Sequence, residues 1–361
     1  MLVVMDGLET IKPGMDSSAA IVAAAHARGH SVDLCTGEEL ALSDGRPVAS
    51  VRPVTAITNT ELPVLGDVRP SQALDEYDVV LMRENPPFDR KYFFHTLILE
   101  RVRGHCLVVN DPRALRDVNE KLAILDFPDL VPHTLVSRRI SDLQAFLEDH
   151  GGDIVVKPLD GFSGYGVLRV TAKDPNRDAL LELATDEGTR LTMAQSYITG
   201  APEGDKRVLM LDGAPIGCFV RRPVPGLLRG NTRVGATLEA SVLTDRDQEI
   251  CAVVGPHLRE RGLFFVGIDI IAGHLTEINV TSPGGIRELT KVTGERIEGL
   301  IIDRLEQVTA AHKGGEAWPE RRLTRAGIRL GQHTVSETSA AGPPGPNRDP
   351  HRSVAPPGPN R

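Results

Sequence analysis

The sequence has few cysteines, no surplus of positive charge and no long apolar run, and each shortage removes a class of protein. Its four cysteines, Cys35, Cys106, Cys218 and Cys251, are scattered through apolar surroundings. They lack the paired spacing of a zinc site, so free structural thiols in a reducing cytoplasm are expected. A net charge of -8 over 361 residues argues against binding nucleic acid through a broad basic face. No apolar stretch approaches the ~20 residues of a membrane span, so no membrane partner is expected. The opening MLVVMDGLET enters a strand-like run without a basic leader or cleavage site, so no signal peptide is expected. After that first strand, MDGLETIKPG is not G-x-G-x-x-G, and a dehydrogenase loses its main support.

What is present is concentrated over 262–288, GLFFVGIDIIAGHLTEINVTSPGGIRE. It reads as two apolar strands, 263–271 and 275–280, joined by a tight turn at Ala272-Gly273-His274. A buried apolar strand should not carry unpaired charge, because an isolated carboxylate is costly there. Yet Asp269 interrupts the first strand, and Glu277 and Asn279 interrupt the second. Glu277 and Asn279 are two apart and share a face. A hairpin folded about Gly273 sets Asp269 opposite Glu277. The three side chains then form a hard-oxygen set suited to Mg²⁺ bridging nucleotide phosphates, with Mn²⁺ as the alternative. For Asp269 alone, the competing reading is a buried carboxylate satisfied by backbone or an arginine.

Residues 1–120 read as a small α/β domain. The apolar run 2–5 ends in Asp6, and Asp16-Ser17-Ser18 is suited to N-cap an alanine-rich helix that Gly29 stops. Strands are predicted over 32–35, 78–82 and 106–110, with a helix over 92–103 between the last two. Apolar strands alternating with helices imply a parallel sheet covered on both faces. Ligands bind beyond the strand C-termini of such sheets, where Asp6, Arg83 and Asn110 fall. The segment 37–74 holds short strand-like pieces and no legible chemistry.

Further on, Ser141 and Gln144 predict a capping box before a helix ended by Gly151-Gly152. Lys157 then closes an apolar strand, followed by GFSGYG at 161–166 and another strand over 167–171. A glycine loop between antiparallel strands can fold over phosphates and offer its N–H groups. This strand–loop–strand setting is not the P-loop, which enters a helix. Lys121 by itself reads as a solvated helix lysine. Asp205-Lys206-Arg207-Val208 opens a hairpin whose turn is Asp212-Gly213, with Arg222 on the return strand. The segment 223–240 is rich in Pro, Gly, Arg and Asn, and Thr244 is expected to cap the next helix. Ser282, Gly284, Gly285 and Arg287 suggest a turn for a carboxylate, and a last amphipathic helix is predicted over 295–311. From Lys313 the chain turns Pro- and Gly-rich, with PPGPNR repeated, and reads as a disordered tail with one short helix predicted over 321–330.

Together GIDII…LTEINVTSPGGIRE, LMRENPPFD, KPLDG, DKRV and RGN resemble the ATP-grasp ligases, most closely the prokaryotic-type glutathione synthetase family, across residues 1–310. The resemblance implies an α/β chain, α+β overall. A Rossmann-like pre-ATP-grasp domain (1–120) would precede a two-part ATP-grasp domain, with a nucleotide clamp at 121–200 and a lid and metal site at 201–312. The tail, 313–361, falls outside it. The implied activity is phosphorylation of γ-glutamylcysteine by ATP, followed by attack of glycine on the acyl-phosphate, in a cytoplasmic homo-oligomer, commonly a homotetramer.

The resemblance also assigns residues. Lys121, Lys157, Gly161 and Gly164 would hold phosphates, and Gln195, Ser196, Tyr197 and Ile198 would line the adenine. Asp205 would contact the ribose and Arg207 the phosphates, with Arg207 and Arg229 catalytic. Arg83 would hold the dipeptide, assisted by Asp16, Ser17, Arg222, Asn231, Ser282, Gly284, Gly285 and Arg287. Phe162 and Tyr165 depart from the family's denser glycine cluster. Two alternatives stand beside this reading: a ligase joining another acid and amine, and a non-catalytic ATP-binding protein.

Overall fold

The computed structural model describes residues 1–227 and 235–313. The N-terminal sheet contains β1 (Leu2–Met5), β2 (Asp33–Cys35), β3 (Leu40–Ser43), β4 (Arg46–Ile57), β5 (Pro63–Leu65), β6 (Arg69–Ala73), β7 (Val79–Arg83) and β8 (Leu107–Val109). Their order is β3-β4-β2-β1-β7-β8, with β5 and β6 also paired to β4. The expected parallel pairing is found in β2-β1-β7-β8. The segment 37–74, read from its sequence as short strand-like pieces, forms the antiparallel half. Burial explains the difference. Strands β1 and β7 are buried at every residue, as a doubly covered parallel sheet requires, whereas buried and exposed residues alternate along β4, as when one face meets water. Asp16 caps α1 (Ser17–Ala27) by accepting from the Ala19 N–H at 2.8 Å. Asp89 does the same for α2 (Arg90–Glu100).

After the short α3 (Pro112–Asp117), a second, antiparallel sheet comprises β9 (Thr134–Ser137), β10 (Asp153–Pro158), β11 (Leu168–Thr171) and β12 (Thr192–Ser196), in the order β11-β10-β12-β9. Helices α4 (Ile140–Asp149) and α5 (Arg177–Thr185) cover it. The predicted Ser141–Gln144 capping box is not formed. Helix α4 starts two residues earlier with Arg139 as its N-cap, and Ser137 Oγ accepts from the Arg139 N–H while donating to Asp142. A side chain two residues before the cap thus takes the cap residue's own N–H, the part expected of Gln144.

The third sheet holds β13 (Asp205–Leu211), β14 (Ala214–Arg222), β15 (Thr237–Ala240), β16 (Phe265–Ile271) and β17 (His274–Asn279), ordered β15-β14-β13-β16-β17. Thr244 and Asp247 form a capping box at α6 (Asp245–Glu260). The segment read as a turn around Arg287 continues into a helix, α7 (Ile286–Thr293), entered through Gly285 at φ +127°. The last helix, α8 (Glu298–Lys313), returns to the N-terminal sheet. Its Ile301, Ile302 and Leu305 are buried with Val3, Met5 and Ile21, and Arg28 of α1 pairs with Asp303 and Glu306. Arg229, Asn231 and the predicted tail helix lie outside the described residues.

Asn110 was expected among ligand-contacting residues at the end of β8. It is buried instead and joins two sheets. Its Nδ2 donates to the carbonyls of Phe265 (3.0 Å) and Val280 (2.7 Å). Its Oδ1 accepts from the N–H groups of Phe264 (2.8 Å) and Phe265 (3.0 Å). Every hydrogen-bonding position of the amide that can be used in a buried site is used, which fixes β8 against β16.

Candidate active site

The hairpin of β16 and β17 turns through two residues, Ala272 and Gly273, both with positive φ. Ile271 pairs with His274 and Ile270 with Leu275, but Asp269 pairs with Glu277. Thr276 is therefore an extra residue, a bulge, and its hydroxyl donates to the Asp269 carbonyl at 3.1 Å. In an unbulged ladder Asp269 would oppose Thr276 and Glu277 would lie on the other face, since side chains alternate. The bulge restores the pairing expected from a turn centred on Gly273, through a shorter turn. Asn279 Nδ2 donates to Asp269 Oδ2 (3.1 Å) and to the Gly267 carbonyl (3.2 Å), leaving its amide oxygen for a ligand.

The hairpin of β13 and β14 uses the same device. Met210 pairs with Pro215 and Leu209 with Gly217, so Ile216 is extra, and Asp205 faces Arg221. Arg207 lies beside Asp269 in the ladder of β13 and β16. It grips that carboxylate through Nε (2.5 Å) and Nη2 (2.9 Å). Arg221 Nη2 bridges Asp205 (2.5 Å) and Asp269 (2.9 Å). Burial alone would raise the Asp269 pKa, but Arg207 and Arg221 outweigh it and hold it well below the carboxylate range. Asp205 goes the other way. Burial lifts it to about 6 against the pull of Arg221, and the charge on Asp269 adds to the rise. These contacts are those of a buried carboxylate satisfied by arginine, the competing reading of Asp269.

Lys121 is only 3% exposed, so it is not the solvated lysine its sequence context suggests. Its Nζ donates to the Gly161 carbonyl at 2.5 Å and lies 3.4 Å from Glu277. Lys157, on β10, has its pKa lowered by burial, opposed by Glu277 and reinforced by Lys121. These residues border a cleft of about 350 Å³. Gly161, Gly164, Gln195, Ser196, Tyr197 and Ile198 line it, and so do Ser282, Gly284 and Gly285. Gln195 donates to Thr134 Oγ1 at 3.1 Å, so its side chain is committed to the sheet, as its backbone is through β12 pairing with β10 and β9. Arg169 stacks over the Tyr197 ring at 3.7 Å.

Five residues expected to contact substrate are not among those lining the cleft. Asp16 caps α1, and Ser17 Oγ accepts from the Ile286 N–H at 3.3 Å. Arg83 is buried beneath the Pro283–Gly284 turn, donating to Ser18 Oγ and the Pro283 carbonyl, both at 3.0 Å. Burial lowers its pKa to about 10. Arg83 therefore supports the turn from below. Arg222 points to Glu239 and Glu203 instead of the cleft, because alternation puts its neighbour Arg221 on the cleft face. Arg287 pairs with Glu61 and Glu298.

Arg221 and Glu120, which sequence reasoning passed over, also line the cleft. Arg221 stands next to the expected Arg222, and a count of the bulged register would have selected it. Glu120 adjoins Lys121 in NEK. It accepts from the Val280 N–H, the Thr281 N–H and the Thr281 hydroxyl.

Among the described residues no three or more His, Cys, Asp or Glu side chains are grouped to hold a metal ion. The candidate set consists of two carboxylates and an amide, Asp269, Glu277 and Asn279. Its all-oxygen chemistry fits Mg²⁺, which takes few protein ligands and completes its shell with phosphate oxygens and water. No helix among the described residues is long and apolar enough to cross a membrane.

Solved structures with the same fold include the ATP-grasp ligase PsnB complexed with minimal precursor, Mg and ADP, with a TM-score of 0.56 at 19% identity, covering 86% of this chain and 98% of that one. D-cycloserine synthetase DcsG gives a TM-score of 0.57 at 16% identity, covering 84% and 99%. The fold and its cleft define an ATP-grasp ligase, an enzyme that uses ATP to form a C–N bond. Within that class, the model of the prokaryotic glutathione synthetase N-terminal domain matches residues 1–116, and that of its ATP-grasp domain matches 120–294. Glutathione synthetase of Pseudomonas syringae pv. tomato is 43% identical over 314 residues, 86% of this chain and 98% of that protein. Glutathione synthetase of Escherichia coli O6:H1 is 42% identical over 306 residues, 84% and 96%. The chain belongs to the prokaryotic glutathione synthetase family.

Proposed function

We propose that this cleft carries out the ATP-dependent ligation of γ-glutamylcysteine and glycine to glutathione, releasing ADP and phosphate. The observation that carries the reading is the meeting of two lysines, two arginines and the Asp269–Glu277–Asn279 oxygen set beneath the 161–166 loop. The γ-phosphoryl group of ATP moves to the cysteinyl carboxylate of the dipeptide, giving an acyl-phosphate and ADP. The glycine nitrogen then attacks the acyl carbon, phosphate leaves with the C–O electron pair, and the amine loses its proton. No nucleophilic side chain is needed, so positioning and charge compensation supply the rate.

Lys121 and Lys157 face the phosphates, with Gly161 and Gly164 giving the loop close approach to them. Arg207 and Arg221 balance charge on the transferring group, and Asp205 accepts from the ribose. Gln195, Ser196, Tyr197 and Ile198 line the adenine. Ser282, Gly284 and Gly285 bind a substrate carboxylate through their backbone N–H donors, the Ser282 hydroxyl being spent on the Arg83 carbonyl. Asp269, Glu277 and Asn279 would hold Mg²⁺, which would supply compensation of the charge that develops during phosphoryl transfer. The four cysteines are free and buried, in keeping with the reducing cytoplasm where this chemistry is proposed.

The test is phosphate release from ATP with both amino-acid substrates, and with each omitted in turn. Release that needs γ-glutamylcysteine and glycine together, with the tripeptide found by mass, is expected. ATP hydrolysis indifferent to either would overturn the substrate assignment.

A further inference from the structure

Five carboxylate side chains line the cleft, Glu120, Asp205, Asp269, Glu277 and Glu288, and four of them have partners. Glu120 accepts three hydrogen bonds from Val280 and Thr281. Arg221 holds Asp205, both arginines hold Asp269, and Lys121 lies 3.4 Å from Glu277. Glu288 differs. Its Oε2 is buried and has no hydrogen-bond partner among the described residues. A buried polar atom left unpaired is costly, so native structures retain few without a purpose.

An ionised carboxylate only accepts hydrogen bonds, so the group it calls for is a donor, best a cation. Three of the four cations lining the cleft, Arg207, Arg221 and Lys121, hold other groups. Arg207 is spent on Asp269 and, through Nη1, on the Gly284 carbonyl at 3.2 Å. Arg221 bridges Asp205 and Asp269, and Lys121 reaches Gly161 and Glu277. Glu288 itself sits in the first turn of α7, three residues beyond Gly285. It therefore belongs to the Gly284–Gly285 end of the cleft, where the ligase reading puts a substrate carboxylate. An amino acid presenting its carboxylate to that turn carries its ammonium on the adjacent carbon.

We propose that Glu288 is a substrate-binding residue that accepts from the ammonium group of an amino-acid substrate. The proposal rests on the ligase reading above. Glycine and the γ-glutamyl end of γ-glutamylcysteine both offer this group, and the assay separates them. In full-length Glu288→Gln the side chain keeps its shape and loses its charge, so the KM for one amino-acid substrate should rise about tenfold or more. The kcat and the KM for ATP should stay within about threefold, as expected for loss of binding made equally in ground and transition states. A rise for glycine assigns the ammonium to the nucleophile before it is deprotonated. A rise for γ-glutamylcysteine assigns it to the γ-glutamyl end.

A structural role makes a different pattern, because an acid in the first turn also stabilises a helix through its dipole. Glu288→Gln would then lower the melting temperature and leave both KM values alone, which would overturn the proposal. Hydroxylamine adds a second readout where glycine is the substrate affected. It is uncharged at neutral pH and traps the acyl-phosphate as a hydroxamate, so variant and wild type should then react alike. A defect that persists with hydroxylamine, with the KM for γ-glutamylcysteine unchanged, also overturns it. A wild-type chain that releases no phosphate with both substrates overturns the ligase reading and this proposal together. Unchanged KM values in an active enzyme overturn this proposal alone.

Discussion

Asp269 and Glu277 face each other across β16 and β17 because Thr276 is pushed out of the ladder between them. The neighbouring hairpin repeats the arrangement, with Ile216 pushed out and Asp205 brought opposite Arg221. Both turns are two residues long, and in each the extra residue lies on the returning strand. A one-residue shift moves every later side chain to the other face. The two bulges thus aim the acidic and basic groups of two hairpins into one cleft.

Removing the charge of Glu277 tests the pairing directly. Glu277→Gln keeps the shape of the side chain, which is partly exposed, so the fold should persist. Phosphate release at saturating Mg²⁺ should fall at least about a hundredfold, because a ligand to the proposed metal and the partner of Lys121 are lost together. Turnover close to wild type would remove Glu277 from the metal assignment.

Arg221 is predicted to matter for a reason its sequence context hides. Replacing it by methionine leaves Asp205 and Asp269 short of a shared partner, at a cost of about 3–5 kcal/mol in stability. Adding Asp205→Asn should recover part of that loss, since it removes one of the stranded charges, without restoring turnover. Equilibrium unfolding and phosphate release across the four proteins of this cycle check the point. Additive stability effects would mean that the two side chains are not coupled.

Much of this was legible beforehand. Glu277 and Asn279 share a strand face, the caps at Asp16 and Thr244 are formed by their own side chains, and Lys157 ends a strand before a glycine loop. These features depend on local periodicity and capping chemistry. What escaped depends on long-range packing. Arg83 is at the end of a parallel strand, where ligands bind, but the Pro283 carbonyl and Ser18 claim it. Arg221 was passed over for Arg222 because a bulge carries no residue signature of its own. Helix α7 was read as part of a turn because Pro283-Gly284-Gly285 precedes it and only burial of Ile286 and Leu289 marks its inner face.

Asp205 gives stability a pH dependence of definite sign. Its folded pKa is about 6, above the ordinary 3.8. Between those values the folded chain keeps a proton that the unfolded chain releases, so this contribution falls as pH rises and is lost above about 6. Asp205→Asn has nothing to titrate there. From pH 4 to 7 the wild type should therefore lose about 1–3 kcal/mol relative to the variant, measured by urea unfolding. A gap that is constant or moves the other way contradicts an elevated Asp205.

Asn110 should be the most demanding position at the junction of the N-terminal and C-terminal sheets. Its amide satisfies four backbone groups of β16 and the end of β17, two as donor and two as acceptor. Asn110→Ala strands all four in a buried site, and urea unfolding should show a loss of about 3–5 kcal/mol. Asn110→Asp keeps the shape but sets a carboxylate oxygen against the carbonyls of Phe265 and Val280, where the amide had donated. The aspartate variant should be at least as unstable as alanine at neutral pH and should recover in acid, where a protonated carboxyl can donate once more. An alanine variant within about 1 kcal/mol of wild type would show that the clamp is dispensable.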